Sequence, residues 1–73
     1  MPRQTRYDEI ARLASDLVKA ERRSLDMAAK RSALPPGSTR ARVTTANANW
    51  ASAAEQRDRL AVRLREAVDA ANL

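Results

Sequence analysis

Leu34-Pro35-Pro36-Gly37-Ser38-Thr39 is the stretch on which the fold of this 73-residue chain turns. Leu34 and Pro35 each precede a proline, which pushes both out of the α region and ends any helix arriving from the N-terminal side. Ser38 or Thr39 can then cap a new helix. Upstream, an apolar helical pattern runs from Tyr7 to about Ala33, and Thr5-Arg6-Tyr7-Asp8 reads as an N-cap with a carboxylate three residues on. Downstream, a second pattern runs from about Arg40 to Ala71. No repeat, low-complexity tract or strand pattern interrupts either. The fold class expected is all-α: an antiparallel, coiled-coil-like two-helix hairpin in a single domain over 1–73. Its parts are a helix over 6–33, a corner over 34–38 and a helix over 39–71.

At ~100° per residue, Ile10, Ala14, Leu17, Val18, Leu25 and Ala28 share one face of the first helix. Val43, Ala46, Trp50, Ala53, Leu60, Ala61, Leu64 and Val68 share one face of the second. Folding about the corner pairs residues whose numbers sum to roughly 78. Trp50 then meets Ala28, Leu25 meets Ala53, Leu17 meets Ala61 and Ala14 meets Leu64, large against small along the seam. Trp50 is on this reading a core anchor. The same register sets Glu21 against Arg57 near mid-seam, and predicts an ion pair there. Such a pair adds little net stability but can fix register, because either member alone is costly.

Composition agrees with a helical hairpin. Phe is absent, Tyr7 and Trp50 are the only aromatic residues, and the single Gly and three Pro lie outside the periodic segments. What remains is rich in Ala, Leu, Arg and Glu, which are strong helix formers. With neither Cys nor His, disulfides and the usual zinc ligands are excluded. The longest apolar runs fall far short of the ~20 residues of a membrane span. The first residues do not lead into a signal-peptide core. A cytoplasmic location, or one within a particle the chain assembles into, is expected.

Enzymatic chemistry has no foothold. A Ser or Thr nucleophile needs a base, usually His, and none is present. The carboxylates interleave with Arg at four-residue spacing, as in Asp8–Arg12, Arg22–Asp26, Glu55–Arg59 and Arg65–Asp69, which reads as a solvated, salt-bridged surface. No Gly-rich phosphate loop occurs. The expectation is a non-enzymatic chain without metal or cofactor.

A partner is expected instead. The apolar arc of the first helix spans roughly 200°, wider than the ~100° that faces one core. Leu13, Ala20 and Met27, spaced by seven along one flank, are the interaction surface this assigns, for a homodimer, a higher oligomer or a larger protein partner. So small a domain without staples also gains from assembly into a helical bundle. Net charge is +5, and no acidic residue occurs between Asp26 and Glu55. Lys30, Arg31, Arg40 and Arg42 therefore make a basic tip at the corner, able to contact phosphates of DNA or RNA. Lys30 and Arg31 would equally complement the dipole at a helix C-terminus. Arg3 and Arg6 form a smaller basic site at the other end.

The run Leu34-Pro35-Pro36-Gly37-Ser38-Thr39-Arg40-Ala41-Arg42, followed by Val43-Thr44-Thr45-Ala46-Asn47-Ala48-Asn49-Trp50, resembles the short Arg/Ala-rich helical hairpins of GC-rich actinobacteria and their phages. That resemblance implies a small phage or accessory protein and assigns no activity or functional residue. Three functions follow as expectations: a protein-interaction module, a nucleic-acid-binding hairpin, or a structural subunit of a larger particle.

Overall fold

The structure, a computed structural model, describes the backbone of residues 2–71 and the side chains of residues 7–71. Two helices, α1 (Pro2–Ser32) and α2 (Arg40–Ala71), lie antiparallel in a rod of 57 × 14 × 13 Å. The fold is the expected all-α hairpin. Helix α1 begins at Pro2 rather than near residue 6. Proline suits the first helical position, where its missing N–H has no helical partner to lose. Thr5 consequently lies within the helix and is not its cap. The side chains of Arg3, Thr5 and Arg6 lie outside the described residues.

The corner is built by backbone geometry. Ala33 N–H still donates to the Ala29 carbonyl at 2.9 Å, and Ser38 N–H donates to the Pro35 carbonyl at 3.2 Å. Between them Pro36 and Gly37 occupy the centre of a turn, Gly37 at φ +86°. A type II turn asks for proline at its second position and a positive φ at its third, and this sequence supplies both. Ser38 Oγ also donates to the Pro35 carbonyl at 2.6 Å. Thr39 is the cap of α2: its Oγ1 accepts the Arg42 N–H at 3.3 Å, and its carbonyl accepts the Val43 N–H at 3.1 Å. Of the two candidate caps, Thr39 caps the helix and Ser38 locks the turn.

The seam follows a spacing that alternates three and four. In α1 it runs through Ile10, Leu13, Leu17, Ala20, Ser24, Met27 and Arg31, and on to Leu34; in α2 through Ala46, Trp50, Ala53, Arg57, Leu60, Leu64, Ala67 and Ala71. All but Arg31 are buried or half-buried, with Leu13 7%, Ala20 6%, Ser24 3% and Ala53 3% exposed. This is the heptad pattern of a two-stranded coiled coil. Ser24 touches Arg57 and Arg31 touches Trp50, pairs whose residue numbers both sum to 81. The pairing is thus displaced by nearly one helical turn from the expected register. The connection continues past the end of α1 before reversing, and half-buried Leu34 lines a cleft with Ala41, Arg42, Thr45 and Ala46 of α2.

The larger correction concerns which face of α1 is inside. At ~100° per residue from Ile10 the apolar arc of α1 has two flanks, with Ala14, Val18 and Leu25 on one and Leu13, Ala20 and Met27 on the other. The expected face took the first flank, and the packed hairpin turns the second inward, a choice that an arc of roughly 200° leaves open. Leu25 is accordingly 70% exposed and Val18 50% exposed, while Leu13 and Ala20 are buried. In α2 the expected residues Ala46, Trp50, Ala53, Leu60 and Leu64 do lie in the seam, so most of its expected face is the real one. Val43, Ala61 and Val68 lie outside it, on the exposed surface.

Candidate interaction surfaces

Because the helices are antiparallel, their rotations mirror one another across the seam. The residue one step before a seam position falls on one side of the hairpin in both helices, and the residue one step after falls on the other. The clefts along the seam identify the first side. Glu9 lies with Arg63, Glu66 and Ala70 around Leu13 and Ala67. Asp16, Lys19 and Arg23 lie with Gln56 around Ala20 and Leu60. Lys30 lies with Thr45 and Asn49 around Met27 and Ala46. On this side α1 is charged at every step from Glu9 to Lys30, while α2 is polar from Thr45 to Gln56 and charged at Arg59, Arg63 and Glu66.

The opposite side differs in kind. From α1 it takes Tyr7, Ala11, Ala14, Val18, Glu21, Leu25 and Ala28. From α2 it takes Asn47, Ala51, Ala54, Asp58, Ala61, Arg65 and Val68. Ala14, Ala28 and Ala54 are half-buried at the seam edge and the others are exposed. Alanines, with Val18, Leu25 and Val68 among them, therefore recur along the length of the rod, interrupted by Glu21, Asp58 and Arg65.

Near the middle of the rod lies the polar layer of the seam. Arg57 Nη1 donates to Ser24 Oγ at 3.2 Å, and Arg57 Nε donates to Asp58 Oδ1 at 3.1 Å. The expected partner, Glu21, is exposed and is not engaged by Arg57. The register shift explains this: it brings Ser24 to the height where Glu21 was expected, and Asp58 satisfies the remaining charge from the next position on α2. Ser24 is the residue that the hydropathy count missed. The visible signal was the three-four spacing, which passes through a serine and two arginines that an apolar tally discards.

The proposed surface of Leu13, Ala20 and Met27 is the seam itself. Leu13 and Ala20 are buried against α2 and Met27 is half-buried, so the three are not an exposed docking surface. Trp50 is half-buried in the seam as expected of a core anchor, and Arg31 Cζ stands 4.8 Å from its ring centroid. Arg31 is thereby drawn from the basic tip onto an aromatic face, a cation–π contact. Lys30, Arg40 and Arg42 stay exposed at the corner. Lys30 and Arg42 rim a cleft of about 380 Å³ whose floor includes Met27, Leu34, Ala41 and Ala46. Of the four expected surface ion pairs, Glu55–Arg59 is closed.

Among the described residues no cluster of three or more acidic side chains is placed to hold a metal ion. Among the same residues no helix is long and apolar enough to cross a membrane. Comparison with protein-family models, curated proteins and solved structures finds no match.

Proposed function

We propose that this hairpin is a protein-interaction module, and that it docks through the alanine-rich side rather than through Leu13, Ala20 and Met27. The observation that carries this reading is the exposure of Leu25 and Val18, 70% and 50%, on the same side as Ala51, Ala54, Ala61 and Val68, opposite a side to which α1 gives a charged residue at every step from Glu9 to Lys30. Single exposed apolar residues need no explanation, but several gathered on one side, with charge gathered on the other, mark a contact surface. Small side chains let another helical layer approach closely, with Val18 and Leu25 as the projecting groups. The reading is tested by the migration of the tagged chain on native gels in extract of cells that express it natively. Migration in a complex larger than the chain, lost on Leu25→Asp, supports docking through this side. Migration unaffected by Leu25→Asp refutes it.

A second reading has its own observation. Lys30, Arg40 and Arg42 are exposed around one corner, and no acidic residue occupies the first turn of α2. Cations at the positive end of a helix dipole add to its field instead of offsetting it. A nucleic-acid phosphate backbone is the partner such a corner would attract.

A further inference from the structure

We infer that the occupant of the alanine-rich side is a second copy of this chain, making a four-helix bundle. The inference rests on the interaction reading above and names its partner. Three observations carry it.

The first is area. A compact monomer of 8.1 kDa exposes about 4,500 Å² by the scaling of surface with mass. This hairpin exposes 6001 Å², an excess of roughly 1,500 Å² over that scaling. One side of a rod 57 Å long and 14 Å wide presents a footprint of roughly 800 Å², the area each partner contributes to an interface of standard size. A second copy covers the whole of it, because the two rods are equally long.

The second is charge. The chain carries +5 overall, yet this side carries Glu21 and Asp58 against Arg65, with Arg57 reaching Asp58 from the seam. A nucleic acid or an acidic surface finds no complement here, whereas a second copy, equally near balance, meets no net repulsion.

The third is shape. The band is alanine at Ala11, Ala14, Ala28, Ala51, Ala54 and Ala61, with the larger Val18, Leu25 and Val68 between. Laying each α1 across the α2 of the other copy makes every neighbouring helix pair antiparallel, as in a four-helix bundle. Large groups of one layer then enter the alanine gaps of the other.

The test is sedimentation equilibrium of the full chain, with absorbance at 260 and 280 nm to detect nucleic acid. Twice the chain mass is expected, without nucleic acid. Leu25→Asp should reduce it to the single-chain mass while leaving helical circular dichroism intact. Ala61→Arg, which fills a gap of the band, should weaken association by about tenfold or more, whereas Lys19→Glu on the opposite side should leave the mass at twice the chain. Single-chain mass up to millimolar concentration, or an equal loss in Lys19→Glu, overturns the second copy as the occupant. If the chain is single by sedimentation but still migrates in a Leu25-dependent complex in extract, docking survives with a different partner. A double mass that Leu25→Asp leaves unchanged overturns both.

Discussion

Arg57 reaches across the seam to Ser24: its Nη1 donates to Ser24 Oγ at 3.2 Å while its Nε is held by Asp58 at 3.1 Å. Ser24 is 3% exposed, whereas the Arg57 side chain keeps 38% of its surface. This asymmetry decides what the contact is worth. The guanidinium stays partly solvated, so little desolvation is spent and little Coulomb energy is gained. The serine hydroxyl, by contrast, is sealed and depends on a partner.

Replacing one partner and both partners should therefore have opposite effects. Arg57→Met leaves the buried Ser24 hydroxyl without its partner and should cost about 1 kcal/mol. The double variant Ser24→Ala/Arg57→Met should recover that loss and match or exceed the wild type, since an apolar layer then replaces a polar one. Urea denaturation of the four members of the cycle measures the coupling. A double variant less stable than Arg57→Met would show that the contact stabilises the hairpin rather than selecting its register.

Gly37 carries the turn by conformation alone. A Cβ placed on it meets nothing within 4 Å, yet its φ of +86° is one that other residues adopt only with strain. Gly37→Ala should cost about 1–2 kcal/mol with no steric contribution, seen as a fall in Tm of roughly 4–8 °C per kcal/mol. An unchanged Tm would mean that the turn can take another form.

The cap of α2 rests on one hydroxyl. Thr39→Ala removes the acceptor of the Arg42 N–H and should cost about 1 kcal/mol, whereas Thr39→Ser should cost far less. Ser38→Ala tests the division of labour at the corner: it should leave α2 capped, so its loss of helical circular dichroism at a fixed temperature should be smaller than that of Thr39→Ala.

Trp50 is the sole tryptophan and reports its own surroundings. Arg31→Gln removes the cation from its ring face and should shift emission to the red, raise quenching by iodide and cost about 0.5–1 kcal/mol. Emission unaltered by this change would place the guanidinium elsewhere in solution.

If the basic corner binds nucleic acid, Arg40→Gln and Arg42→Gln should weaken binding alike for all sequences. Each should reduce the slope of log affinity against log salt by roughly 1. Binding that does not vary with salt would remove the phosphate reading.

Much of the architecture was legible in the chain itself. Two prolines and a glycine between two long helical patterns leave the backbone no choice but to stop, turn and restart, and these are local constraints that residues 34–39 satisfy without help from the rest of the molecule. The exclusion of disulfides was equally local, since it follows from residue types that are absent. Which side of α1 faces inward could not be settled locally. The apolar arc of α1 is wide enough to present either flank to α2, and the choice exists only once the partner helix is packed. That choice put Leu13 and Ala20 into the seam and left Leu25 and Val18 out of it. The vertical register was likewise decided in packing, which sets Ser24 rather than Glu21 beside Arg57. Sequence by itself determined that the chain is a hairpin; tertiary packing decided which residues the hairpin buries and which it leaves exposed.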